Sequence, residues 1–410
     1  MKQKENIMKT RDYQETIIKA QSKFMTNNDL QRGQVYSPTG SGKNVCIDAL
    51  VSEMTEGNSG KKICIVYPAL AMDKQTRLKD KSNVEFTSFQ DGVEELQHVL
   101  DATKMNHITT TTYQTFPLIA NMKFDLIICY EAQNMVQRDC AEVLSLIKSK
   151  VLFYTATPIT KIDGITSVVS MNNKKLFGEP ICDIKPVELI DKGYIVPPSL
   201  VELKVATDEY GMAVSPYLTV AHAVADLKAR LTKVNNKLLV SMTDTTYFDD
   251  FQDNISEMET YTGDIDLYTI AEGEQVKNGK KLKSQEHALK DIAENEKQCV
   301  IVYCDTLGEG IDVPGITATF LMLDYHVHMS KPQLVKTVER VARPSQEDMN
   351  ENGEVIDMNN RVKPSCYVYI LKNYEVNTIC EAFIEGGYGD SVKVNVDFNT
   401  NESSYSSVQL

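Results

Sequence analysis

The sequence predicts an α/β protein of two tandem units, each a mostly parallel sheet flanked by helices. Three observations carry that expectation: apolar runs of strand length recur along the chain, they are continuous rather than alternating, and helical stretches separate them. A continuous run suits a strand covered on both faces, the condition of a parallel sheet between helical layers. With 410 residues, the chain has room for two domains of ordinary size.

The elements follow in order. Gln34, Val35 and Tyr36 read as the end of a short strand and residues 45–54 as an amphipathic helix, which sets the glycines between them on a strand-to-helix turn. Buried strands are expected at 63–67, 124–129 and 151–154, and again at 238–241, 299–304, 317–323 and 366–371. Residues 263–296 are polar, which predicts a loop and a surface helix. Between the two series, Asp191-Lys192-Gly193-Tyr194-Ile195-Val196-Pro197-Pro198 carries a glycine and paired prolines without a period, as a linker does. The expected domains are 1–198 and 199–385, with a polar tail over 386–410 that frays at its Ser-, Asn- and Thr-rich end.

Composition narrows the class. The 42% hydrophobic content is globular. Nine cysteines are scattered without close pairs, so neither a zinc spacing nor a disulfide framework is visible. The first ten residues are polar and lysine-bearing, and no apolar run approaches membrane-spanning length. A soluble cytoplasmic protein without membrane contact is expected. The net charge of −14 is unevenly spread: residues 1–198 carry 24 Lys and Arg against 23 Asp and Glu, and residues 199–410 carry 19 against 34. Nucleic-acid binders gain affinity by neutralising phosphates, so the acidic half either gathers its few cations along one groove or faces another partner, such as a protein. A solvated, solubility-promoting surface is the plainer reading.

The turn itself reads Ser37-Pro38-Thr39-Gly40-Ser41-Gly42-Lys43-Asn44. Glycines there let backbone N–H groups point inward, with the positive end of the following helix behind them, and Lys43 reaches the β- and γ-phosphates. The general phosphate-loop pattern asks for Gly at 37 and Ser or Thr at 44, and this chain has Ser37 and Asn44. Alone, the string also suits an ordinary turn.

Order gives it meaning. Arg11-Asp12-Tyr13-Gln14 precedes the loop, Tyr67-Pro68 follows the next strand, and Thr111-Thr112-Tyr113-Gln114-Thr115 leads to a strand ending in Tyr130-Glu131-Ala132-Gln133. Then come Thr155-Ala156-Thr157-Pro158, Thr306-Leu307-Gly308-Glu309-Gly310-Ile311-Asp312-Val313-Pro314, and Glu339-Arg340-Val341-Ala342-Arg343-Pro344. Over about Arg11 to Pro344 this order resembles the superfamily 2 helicases. The DEAH-like motors of restriction enzymes and of phage or viral helicases are the nearer likeness.

The resemblance implies two RecA-like domains with an ATP cleft between them, ATP and Mg2+ as cofactors, hydrolysis of ATP, and nucleic acid as partner, DNA rather than RNA. It implies that Tyr13 and Gln14 meet the adenine, that Thr39, Gly40, Ser41, Gly42, Lys43 and Asn44 hold phosphate, and that Gly310 and Asp312 couple the site to the second lobe. It gives Thr155 to Thr157 a relay role and makes Leu176-Phe177-Gly178-Glu179-Pro180 part of the bridge between lobes. Phosphate-backbone contacts are expected near 67–75 and 111–115. Glu131, past the end of an apolar strand, can orient or deprotonate the attacking water. Arg340 and Arg343, three apart on a predicted helix, share one face and can reach a γ-phosphate as arginine fingers.

Departures fall on the metal. The strand-end signature is normally Asp-Glu, and Tyr130 stands at the Asp position. A neutral phenol is a poor ligand for magnesium, and Asn44 removes the usual hydroxyl, leaving Glu131 through water and Asn44 as weak metal candidates. Lys336 and Glu339 likewise stand where the family pattern has Gln and Gly. Either the metal is held by phosphates, water and Glu131, or hydrolysis has been lost and the chain is a nucleotide-, nucleic-acid- or protein-binding module on a motor fold.

Overall fold

A computed structural model describes residues 10–57, 59–68, 82–136, 138–159, 170–203, 216–233, 236–242, 245–271, 273–304, 315–322, 331–345, 348–349, 355–356, 360–371, 376–396 and 406–408. The Gly308-to-Pro314 string, with Gly310 and Asp312, and residues 69–75 lie outside them. The chain divides into two compact units, Met1–Lys185 and Pro186–Leu410. The sequence expected the boundary near residue 198. The division lies upstream because the helix Pro186–Asp191 and the strand Pro198–Leu203 both go with the second unit.

The first unit holds β1 (Arg32–Tyr36), β2 (Lys62–Tyr67), β3 (Val84–Ser88), β4 (Asn106–Thr112), β5 (Leu126–Tyr130), β6 (Lys150–Thr155) and β7 (Glu179–Asp183). They form one sheet in the order β3-β4-β2-β5-β6-β1-β7, every pair parallel. One face buries Cys64, Val66, Ile127, Cys129, Val151 and Phe153 with Leu96, Leu100, Phe116 and Leu144 from the connecting helices. The intervening residues Ile63, Ile65, Ile128, Leu152 and Tyr154 are equally buried, and Gln21 of the helix Asp12–Thr26 donates to the Tyr154 hydroxyl. Burial on both faces is why these strands read as continuous apolar runs. Each such side chain contributes roughly 1.5–3 kcal/mol.

The expected inter-lobe bridge begins instead as the edge of this sheet. The helix Lys174–Phe177 ends at Gly178, whose φ is 75°. There any Cβ would collide with the Arg32 carbonyl, so β7 can lie beside β1 only after a glycine.

The second unit holds β8 (Pro198–Leu203), β9 (Lys237–Met242), β10 (Asp266–Ala271), β11 (Glu274–Lys277), β12 (Lys280–Lys281), β13 (Cys299–Cys304), β14 (Ala318–Leu321), β15 (Cys366–Leu371), β16 (Lys393–Val396) and β17 (Ser406–Val408). Their order is β12-β11-β10-β13-β9-β14-β15-β8-β16-β17, parallel from β10 to β16 with an antiparallel ribbon at each end. Residues 263–296 were expected as loop and surface helix. The helix is there, Gln285–Glu294, but so is β10, a buried strand of the sheet. Asp266 and Thr269 break its apolar run; Asp266 is buried because the amides of Asn278 (2.9 Å) and Asn295 (2.6 Å) and the Lys277 ammonium (3.2 Å) satisfy it. Residues 393–395, expected in a polar tail, pair in register with β8.

Candidate nucleotide-binding site

Because all strands of the first sheet run parallel, their carboxyl ends share one edge, where α/β proteins bind ligands. The motif-bearing ends of β4, β2, β5, β6 and β1 are consecutive along that edge. Hydrogen bonds stitch them: Ser37 N–H to the Thr155 carbonyl (3.0 Å), Tyr113 N–H to the Tyr67 carbonyl (3.2 Å), and the Tyr113 hydroxyl to the Tyr130 carbonyl (2.6 Å). Tyr67 and Tyr130 meet ring to ring at 5.7 Å.

The loop has the expected shape. Gly40 and Gly42 both have φ 80°, and the helix Lys43–Met54 starts directly after Gly42 without an acidic residue in its first turn. The first N–H groups of any helix lack intrahelical acceptors, so this terminus suits an anion. Ser37 donates to Ser41 at 2.6 Å and ties the loop's ends together. Thr39 and Asn44 are half-buried within it.

Tyr13 and Gln14 belong to the helix Asp12–Thr26 and are both buried. The Tyr13 hydroxyl (2.7 Å) and the Gln14 amide (2.9 Å) donate to the same acceptor, the Ser41 carbonyl. Gln14 Oε1 accepts from Arg11 N–H at 3.0 Å, so both ends of that amide are engaged. A Cβ at Gly42 would sit 2.5 Å from Gln14 Nε2, so a larger residue there displaces that amide. The pair touches the phosphate loop rather than presenting a free ring and amide.

Lys43 is 3% exposed. Its ammonium donates to the carbonyls of Ser37 (3.1 Å) and Pro38 (3.4 Å) and lies 3.6 Å from the Glu131 carboxylate and 6.0 Å from the Tyr130 ring centroid. Glu131 has φ 56°, a left-handed backbone that a non-glycine residue enters at a cost of about 1–2 kcal/mol. That geometry accompanies a carboxylate facing the loop lysine. Glu131 also accepts from Gln133 Nε2 at 3.1 Å, and Gln133 Oε1 accepts from the Thr155 hydroxyl at 2.5 Å. Thr157 N–H donates to Thr155 Oγ1 at 3.1 Å. A continuous polar chain thus runs Thr157, Thr155, Gln133, Glu131, Lys43. Sequence reading missed Gln133, although it stands two residues past Glu131 in the same string.

The residues do not fit a protein-held magnesium ion. Glu131 is engaged with Lys43 and Gln133, Tyr130 offers a phenol, and among the described residues no group of three or more His, Cys, Asp or Glu could hold a metal. Asp125 is bound at the opposite edge, to Lys61 Nζ (3.2 Å) and Lys62 N–H (2.9 Å).

In the expected nucleic-acid segment, Thr111 and Thr112 are buried in β4 and Gln114 is exposed. In the second unit Arg340 lies on the helix Lys331–Val341, but Arg343 does not. Pro344 disfavours helical geometry at the residue before it, so the helix stops at Val341 and Arg343 falls in the following bend, off the face it was expected to share. No helix among the described residues is long and apolar enough to cross a membrane.

Residues 7–160 match the family model described as type III restriction enzyme, res subunit. No curated protein matches the chain in sequence. Among solved structures, the chain is similar to the ATP-dependent type ISP restriction-modification enzyme LlaBIII bound to DNA, at 14% identity and TM-score 0.67 over 96% of this chain. It spans 32% of that enzyme's length. Dbp5 of S. cerevisiae, bound to RNA and ADP BeF3, matches at 12% identity and TM-score 0.56, covering 95% of this chain and 90% of Dbp5. RecG bound to a three-way DNA junction matches at 14% and TM-score 0.53, covering 92% and 45%. Together with the phosphate loop, the strand-end glutamate and the two sheets, these likenesses give the chain a tandem RecA-like fold, and its residues 7–160 are similar to the res subunit of type III restriction enzymes.

Proposed function

We propose that the chain is a nucleic-acid-dependent ATPase of the superfamily 2 helicase or translocase type, acting on DNA rather than RNA in the cytoplasm of a cell or of a virus-infected host. The observation that carries this reading is the buried Lys43 ammonium 3.6 Å from Glu131 on the carboxyl edge of a parallel sheet. ATP places its phosphates on Thr39 to Asn44, where Lys43 exchanges protein carbonyls for phosphate oxygens. Glu131, released from Lys43, orients the attacking water. Tyr13 and Gln14 act by holding the loop, while Gly310, Asp312, Arg340 and Arg343 provide the second unit's share. Magnesium would on this reading be held by phosphate and water, with Glu131 acting on it only through a water.

A second reading rests on Tyr130 and Asn44: a module that binds nucleotide without turning it over, its acidic second unit facing a protein. ATP hydrolysis measured with and without single-stranded DNA, branched DNA and RNA separates the two, using wild type, Lys43→Ala and Tyr130→Asp. Stimulated turnover abolished by Lys43→Ala supports the motor. Turnover absent in wild type and present in Tyr130→Asp overturns it in favour of the module.

A further inference from the structure

Within the second unit, Lys363 is 1% exposed. Its ammonium donates to the carbonyl oxygens of Ile316 (2.8 Å), Val341 (2.6 Å) and Arg343 (2.7 Å). An ammonium has three N–H donors, so each hydrogen has its own acceptor. Lysine is almost never fully buried unless partnered in this way, because a desolvated charge is costly. Its place here calls for a reason.

The three acceptors supply one. Ile316 follows the Gly308-to-Pro314 string and leads into β14; Val341 closes the helix that carries Arg340; and Arg343 is the second arginine itself. The carbonyl between the latter two, that of Ala342, accepts from Val196 N–H at 2.7 Å. Arg361, two residues before Lys363, donates to the Gly193 carbonyl at 2.9 Å and to that of Ile356 at 3.2 Å. Gly193 has φ 75°, and a Cβ there would collide with the Arg361 guanidinium. The backbone N–H groups of Val362 (2.6 Å) and Lys363 (3.2 Å) donate to the buried Asp348 carboxylate, which fixes the lysine's own origin.

We propose that Lys363 is a positioning residue: it locks the arginine-bearing turn to the entry of β14 and, with Arg361 and Val196, to the 191–197 segment, so that turn and segment move as one piece. The negative end of the helix Lys331–Val341 favours a cation at this place. Burial pushes the Lys363 pKa down to about 8, so the ammonium form still prevails at neutral pH. The catalytic consequence rests on the ATPase reading above; the mechanical one does not.

Hydrogen exchange on the full chain tests the mechanical half. In Lys363→Met, amides of Val196, Ala342, Arg343 and Ser345 are expected to exchange at least ten-fold faster, with those of β9 and β13 unchanged. Unchanged protection at Val196 overturns the proposal. Should Lys363→Met lose protection throughout the unit, Lys363→Gln, which keeps two donors, decides: selective loss at the turn and Val196 supports a lock, and uniform loss across the sheet overturns it. Where wild type turns ATP over, Lys363→Met is expected to lower kcat at least ten-fold and leave nucleotide Kd within two-fold. A wild-type kcat in that variant overturns the catalytic half. Absence of turnover in wild type sinks the ATPase reading instead, and exchange still decides the lock.

Discussion

Lys43 in the first unit and Lys363 in the second are both buried, and they are held differently. Lys43 sits among two carbonyls at 3.1 and 3.4 Å and a carboxylate at 3.6 Å, whereas Lys363 has three carbonyls between 2.6 and 2.8 Å. Ordinary N–H···O bonds lie near 2.9 Å. The first ammonium is thus loosely satisfied and stands where a phosphate can replace its partners; the second is saturated. One environment is built for exchange of partner and the other for permanence.

Truncating each lysine should therefore hurt different properties. Lys363→Met takes the ammonium from three carbonyls, at about 1–3 kcal/mol each, offset by the ammonium's own desolvation, so a loss of about 3 kcal/mol or more is expected in urea unfolding. Lys43→Ala should cost stability little. It should weaken binding of a fluorescent ATP analogue roughly 10- to 100-fold, the worth of one charge-assisted contact. Equal stability losses in the two variants would break the comparison.

pH sharpens it. Lys363 titrates near 8 in the folded chain against the ordinary 10.5. Between those values the unfolded chain holds the extra proton, so stability rises with pH, by at most about 3 kcal/mol across the window. Buried thiols such as Cys366 and Cys299, pushed up to about 12, act oppositely above pH 9, since the unfolded thiol ionises first. The measurement is accordingly the difference between wild type and Lys363→Met from pH 7.5 to 9: it should move in favour of wild type as pH rises.

Gly42→Ala comes next. A left-handed φ of 80° and a Cβ 2.5 Å from Gln14 Nε2 both oppose it, and about 1–2 kcal/mol of strain is expected. Gln14 must leave the Ser41 carbonyl or the loop must open. Either way analogue affinity falls several-fold, and Gly57→Ala, where the new Cβ meets nothing, provides the control for φ alone.

What was legible in the sequence follows the same divide. The phosphate loop and Glu131 were visible because strand, turn and helix are contiguous in the chain and their residue types state their chemistry. β4 was not, since Thr109, Thr110, Thr111 and Thr112 read as polar although they are buried; branched side chains suit a strand whatever their hydroxyls suggest. β10 was hidden by Asp266, whose partners Asn278 and Asn295 lie too far along the chain for any local pattern. Lys363 was invisible for a stronger reason: its acceptors are backbone carbonyls at 316, 341 and 343, which no side-chain pattern records. Arg343 was expected on the helix of Arg340, although Pro344, directly after it, disfavours helical geometry there.

The smallest expected effect probes the link from β6 to the loop lysine. Thr155 donates to Gln133 and accepts from Thr157 N–H, and Gln133 donates to Glu131, so Thr155→Val removes two neutral hydrogen bonds while keeping a β-branched side chain in the strand. The cost is about 1–2 kcal/mol of stability, measured by urea unfolding. Nothing in that change touches the backbone N–H groups of residues 39–44, so analogue affinity should stay within two-fold. Glu131, however, loses the group that orients Gln133 against it, and its grip on Lys43 rises or falls with that amide. Any stimulated turnover should drop several-fold at constant affinity. If affinity falls instead, Thr155 acts through the Ser37 contact to its own carbonyl, and the polar chain carries no signal.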